Sequence, residues 1–318
     1  MLDLWNRFIQ FHELKVVSDP PQAPYIPLQD LCTLLTNEID AGNAVKLINN
    51  ESAAIRFSKY QQFPAENVLI FLVQYTDRNI SDPAFQDLNT GELRTEPKLD
   101  GEGIAVSAHI AISLESHDDI NVLYHLLLEE VPGLGRSRLS PFFKSEFKKL
   151  CKDMYQFIDP TNGKRRNYHP NTEILGKPSK NLEAELDEGV RLQGIEIVRM
   201  TPAEPEFDEE GYYHEVSNHI HIAPEKDSQF TPKQIIELIK RKAFESGYDN
   251  IKVRYKRATG KQKTTVMGAD MGDLADAMIN RDELIRADEV LSQCSEEIID
   301  SIATRMVQYI VDLRQNGD

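Results

Sequence analysis

Ten lysines and arginines lie between Lys233 and Lys263 against three acidic residues, in a chain whose formal net charge is -16. Read as a strand, Lys252-Val253-Arg254-Tyr255-Lys256-Arg257 alternates. Lys252, Arg254 and Lys256 share one face, while Val253 and Tyr255 take the other. Cations about 7 Å apart match the pitch of a phosphate backbone, and such contacts hold a polyanion without reading its sequence. Lys240 and Arg241 upstream, and Arg257, Lys261 and Lys263 downstream, extend the same set. The competing readings are a solvated strand face, or a patch that docks on the acidic tract Glu204 to Glu215 of the same or a neighbouring subunit.

A second pattern is Leu127-Leu128-Glu129-Glu130-Val131-Pro132-Gly133-Leu134-Gly135-Arg136-Ser137-Arg138-Leu139, which resembles a helix-hairpin-helix. In that motif Gly133 and Gly135 accept turn geometry without a side-chain clash. The amides beside a helix N-terminus then hold a phosphate, with Arg136 and Arg138 adding charge. A plain structural hairpin fits the same residues, and Pro141 falls early in the following helix.

Other chemistry is thinner. Strand alternation puts His219 and His221 on one face, with His214 as a third possible metal ligand, although paired strand histidines are more often ordinary surface or core residues. A Mg²⁺-dependent nuclease would need clustered carboxylates, which the stretch Asp77 to Glu102 offers in Asp77, Asp82, Glu96, Asp100 and Glu102, with Lys98 beside them. Gly260-Lys261 lacks the flanking residues of a phosphate-binding P-loop, and no cofactor is indicated. His109 and His125 read as lone core or surface histidines, and no nucleophile–base spacing stands out.

Several elements must position these groups. Leu4, Phe8 and Phe11 predict a helix over 3–14, and Leu28, Leu31, Leu34, Leu35 and Ile39 predict another ended by Gly42. Strands are expected at 44–48, 53–57, 68–75 and 104–114, with a hairpin at Asn49-Asn50 and a polar excursion over 76–103. Helices over 120–131 and 136–157 would flank the Gly133 turn. Strands at 190–200, 219–223, 251–255 and 264–267 surround a helix from Pro232 to Phe244. The apolar stripe from Ile285 through Ile302 to Leu313 predicts one long closing helix over 282–313.

Together these give an α+β protein of two domains: residues 1–158, a linker at 159–184, and residues 185–318 with the basic strand and the long helix. At 318 residues the chain is long enough for two cores. No apolar run approaches a bilayer span, and Met1 to Phe11 carry no signal-peptide pattern. Cys32, Cys151 and Cys294 lie too far apart in sequence for a CxxC pair. A cytoplasmic protein without membrane insertion is expected.

The order of a strand at 220–223, the helix from Pro232, the strand Ile251 to Arg254, a Gly260 turn and a closing helix with Glu289 and Cys294 resembles the RexA exclusion proteins of lambdoid phages. The KwaB subunit of the Kiwa anti-phage system looks similar in the same way. The resemblance implies non-specific DNA binding, self-association as a homo-oligomer, and a role in phage exclusion or anti-phage defence. A binding protein rather than an enzyme, with a further defence protein as a partner, is the expectation, and the nuclease stays the alternative.

Overall fold

The computed structural model describes residues 2–187, 190–199, 217–224, 230–257, 260–269 and 278–316. Two compact units divide the chain: Met1–Lys177 together with Asp282–Asp318, and Pro178–Arg281 between them. The first unit begins with β1 (Asn6–Asp19), α1 (Leu28–Asp40), β2 (Val45–Ile48), β3 (Ala53–Phe63), β4 (Val68–Asp77), β5 (Ala84–Gln86) and β6 (Leu93–Thr95). It continues through β7 (Ile104–Ser116), β8 (Leu123–Glu129), α2 (Arg136–Leu150), β9 (Tyr155–Ile158) and β10 (Arg165–Gly176). The second unit holds β11 (Pro178–Asn181), α3 (Leu182–Asp187), β12 (Arg191–Arg199), β13 (Asn218–Ile222), α4 (Pro232–Glu245), β14 (Asn250–Lys256), β15 (Gln262–Gly268) and β16 (Met278–Asn280). The chain then returns to the first unit with β17 (Asp282–Arg286) and α5 (Asp300–Asn316).

All strand pairings among the described residues are antiparallel, which makes the fold α+β as the mix of expected helices and strands predicts. In the first unit the strand order is β2-β3-β4-β7-β8-β1-β10-β9, with β17 also on β1. Helices α1 and α2 cover one face, packing Leu31, Leu35, Phe143 and Phe147 against Phe57, Phe71 and Ile110. Helix α5 covers the other, packing Ile302, Met306 and Ile310 against Ile9, Ile70 and Leu127. Because both faces of β4 are covered, its run Val68 to Val73 is apolar without alternation. The hairpin at Asn49-Asn50 is present, with Asn49, Asn50 and Glu51 all at positive φ. Gly42 follows α1 at φ 74, as a helix-ending glycine should. The three cysteines are free, and among the described residues no helix is long and apolar enough to cross a membrane.

Five expected elements are different in the structure: the helix expected over 136–157 stops at Leu150, with Tyr155–Ile158 forming β9, and four more differ as follows. Residues 3–14 are not a helix: β1 begins at Asn6 and takes up the rest of that stretch. Ile9 and Phe11 face α5 while Leu14 and Val16 face α1 and α2, so apolar residues that switch faces imitate helical spacing. Residues 120–131 likewise contain β8, where Leu126, Leu127 and Leu128 are buried on both sides of the sheet. Short apolar runs of this kind do not distinguish strand from helix by period. The expected linker at 159–184 contains β10, whose inward side chains are Tyr168, Pro170, Thr172 and Ile174. That alternation is real but only partly apolar. The long closing helix shortens to α5, because Asp282–Arg286 pairs with β1 as a strand and Glu289 and Cys294 lie before the helix begins. The stripe from Ile285 to Leu313 is therefore one packed cluster but not one helix. The C-terminal segment belongs to the first unit rather than to a domain spanning 185–318.

One buried ion network ties that segment down. Glu129 on β8 accepts Arg7 Nε at 2.8 Å and His109 Nδ1 at 2.6 Å, and the three residues are 3 %, 4 % and 1 % exposed. Ile299 N–H donates to His109 Nε2 at 3.0 Å, so the imidazole proton sits on Nδ1 and points at Glu129. Arg7 also donates to the Ser292 carbonyl. Charges balance as one guanidinium and one carboxylate around a neutral ring. Replacing Glu129 with Ala strands Arg7 without its anion. The expected loss is about 3–5 kcal/mol of unfolding free energy, measured by chemical denaturation, and a change below about 1 kcal/mol contradicts the clamp.

Candidate functional site

The second unit's sheet has the order β13-β12-β14-β15. Thr231 starts α4 with a capping box, its hydroxyl accepting Gln234 N–H and its own N–H reaching Gln234 Oε1, and Pro232 occupies the first turn as expected. Helix α4 buries Ile236 and Ala243 against Ile195, Ile197, Ile251, Val253 and Tyr255, so one face of the sheet is packed. The alternate residues of β12 and β14 point the other way. Across the strands Val266, Lys252, Glu196 and His221 form one register row, and Thr264, Arg254 and Gly194 form the next.

Glu196 organises this face. Lys252 Nζ lies 3.0 Å from its Oε1, and Arg254 Nη2 lies 2.7 Å from its Oε2. His219 Nδ1 donates to Oε1 at 2.6 Å, and His221 Nδ1 stands 3.9 Å from Oε2. The carboxylate side chain is 6 % exposed, whereas the Arg254 side chain is 50 % exposed. Hydrogen bonding from His219, then Lys252 and Arg254, holds the Glu196 carboxyl down to about 2. It is therefore ionised across the physiological range. Lys256, the third cation on the strand face, is exposed. Among the described residues Arg191 of β12, exposed and in register with Lys256, shares this face, so four cations stand against the one Glu196 carboxylate.

The structure sorts the basic segment into separate roles. Lys252, Arg254 and Lys256 share the open face, as alternation predicts. Lys240 is buried on α4, and Arg241 stands on the same helix, which packs on the opposite face of the sheet. The helix backs the strand and does not flank its cations. Arg257 is a structural anchor: it makes a bidentate pair with Glu185 of α3, which is fully buried, with Nη2 to Oε2 at 2.9 Å. Lys263 donates to the Asn280 carbonyl at 3.0 Å, and Lys261 follows the Gly260 turn between β14 and β15.

Gly133, Gly135, Arg136 and Arg138 belong to the first unit, and the segment before them is strand β8, so a helix-hairpin-helix is excluded there. Gly133 has φ +87, and a Cβ at that position would come within 2.8 Å of the Tyr75 ring. Arg138 lies 4.2 Å over that ring and donates to the Gly133 carbonyl at 2.6 Å, while Leu134 is fully buried. The turn is a packing device between β8 and α2.

Five carboxylates of 77–102 are held by neighbouring groups. Asp77 accepts Tyr75 Oη, Asp82 pairs with Lys98, Asp87 accepts Asn89 and Thr90 amides, Glu96 pairs with Arg94, and Glu102 accepts the Leu99 amide. Among the described residues no three His, Cys, Asp or Glu side chains assemble a metal cage. His219 and His221 do share a face, but their common partner is Glu196. The acidic tract Glu204 to Glu215 and His214 lie outside the described residues.

Sequence reasoning missed Glu196. Its signal was present as a single acidic residue inside the apolar run Ile195–Val198, opposite a basic strand. A carboxyl lowered on folding contributes stability that is present above its ordinary 4.5 and lost as pH falls toward about 2. Glu196→Gln should accordingly unfold at lower temperature than the parent at neutral pH, with the gap closing as pH falls through that window. Thermal melts across pH read this directly, and a gap that does not change with pH contradicts the assignment. No protein-family model, no curated protein and no solved structure matches the chain.

Proposed function

We propose that the open face of the β13-β12-β14-β15 sheet binds nucleic acid through its phosphates without reading sequence. Exposed Lys256, half-exposed Arg254 and Lys252 at alternate positions of one strand carry this reading, on a sheet face that α4 leaves open. DNA is the intended polyanion. On the resemblance to RexA and KwaB alone, the setting is phage exclusion or anti-phage defence.

Glu196 shapes the affinity. It holds Lys252 and Arg254 in place, which lowers the entropy lost when a phosphate arrives, and it also competes with that phosphate for the same cations. A weak, salt-sensitive grip follows. The nuclease reading has less support, since Asp77, Asp82, Glu96 and Glu102, four of the carboxylates that would build it, are each engaged by a neighbouring group.

Gel shifts with unrelated duplexes across a salt series test the proposal. Binding should be equal among sequences and fall with a log–log salt slope of about -2 to -3, from roughly 0.9 per phosphate contacted. Lys256→Glu should lower the affinity several-fold and reduce the slope by about 1, whereas Lys242→Glu on the far side of the sheet should change neither. A flat salt response, or equal losses from both variants, overturns the proposal.

A further inference from the structure

Beside the cationic row, the same face contains a hollow of about 500 Å³ that phosphate tracking does not use. Its floor exists because Gly194 has no side chain at the register position next to Arg254 and Thr264. The register of β12 shifts between Leu192 and Gly194, which places Gln193 at the rim. Gln262 Nε2 donates to Gln193 Oε1 at 2.5 Å across that rim. Between them the two amides still offer the Gln193 nitrogen as donor and the Gln262 oxygen as acceptor. His221, with 65 % of its side chain exposed, stands at the wall, and Arg254 is shared with the phosphate face.

We propose that this hollow holds one unpaired nucleotide of a single-stranded nucleic acid. The inference rests on the phosphate-binding reading of the adjoining face and names its substrate class. Three properties of the lining point the same way. The volume falls in the range of small-molecule sites, roughly 300–1,000 Å³, and a bare phosphate would leave most of it empty. An exposed imidazole provides a stacking surface for a base, as aromatic side chains do in single-strand recognition. The paired glutamines supply the donor and acceptor that a base edge requires, and Arg254 holds the attached phosphate. In a duplex the base is stacked inside the helix and its edge is already paired. The hollow is then filled only after a base is extruded, at the cost of unstacking it.

Charge makes the opposite demand, which gives the test its power. A duplex carries one phosphate charge per roughly 1.7 Å of axis, so a purely electrostatic face favours duplex over single strand. Fluorescence anisotropy with the full chain, using a labelled single strand and the duplex of equal length at one salt concentration, compares the two. The single strand should bind roughly tenfold tighter. His221→Ala, at an exposed position, and Gly194→Val, which fills the floor, should each remove that preference. Equal or tighter binding of the duplex by the parent chain overturns the inference. So does a preference that survives both variants. If the preference is absent while Lys256→Glu still weakens both forms, the phosphate face stands and the nucleotide subsite falls. If neither form binds, both readings fall together.

Discussion

The two hydrogen-bonding edges of β1 determine how this chain is assembled. One edge pairs with β8 from Ile9 to Lys15. The other is shared: β10 occupies it from Asp19 back to His12, and β17 takes over from Gln10 to Asn6. Lys177 N–H donates to the Phe11 carbonyl at the junction. β10 and β17 thus read as a single antiparallel partner strand, interrupted by the second unit. Backbone groups in a sheet must be paired when buried, and this division satisfies the edge while letting 178–281 leave and return at neighbouring positions. β11 and β16, at the two ends of the inserted unit, pair with each other, so exit and return run as a ribbon. The Arg7, Glu129 and His109 network then fixes the returning segment through Ser292 and Ile299.

Within the inserted unit the decisive interaction is between Glu196 and the cations of β14. Strand alternation sends Ile251, Val253 and Tyr255 into the core under α4 and sends Lys252, Arg254 and Lys256 outward. Like charges at this spacing repel, and a carboxylate on the neighbouring strand offsets part of that repulsion. The result is an ordered cationic surface rather than three independent side chains. The count of ten basic residues between Lys233 and Lys263 overstated this surface. Lys240 is inside the unit, Arg257 is bound to Glu185, and Arg241 is on the opposite side of the sheet.

The legible parts of the fold were those where one physical signal dominates. Leucine spacing in α1, the Thr231-Pro232 start of α4, the Asn49-Asn50 turn and the both-faces-buried run of β4 could be read directly. β1, β8 and β10 could not, because their inward positions mix Arg7, His12, Glu129, Pro170 and Thr172 with apolar residues, or fall on both faces in turn. Period then points to helix or to no structure. The basic strand face was visible because alternation needs only local sequence. Its counter-ion was not, since Glu196 meets Lys252 and Arg254 across 56 and 58 residues of chain. Long-range pairing of this kind leaves only the faint mark of one acid within an apolar strand.

The central claim is that the strand face, and not the basic segment as a whole, meets the polyanion. Amine-reactive footprinting of the full chain, with and without saturating nucleic acid, addresses it residue by residue. Protection of Lys252 and Lys256, with Lys242 on α4 labelled equally in both states, is the expected result. Unchanged labelling of Lys252 and Lys256, or protection confined to α4, contradicts the account.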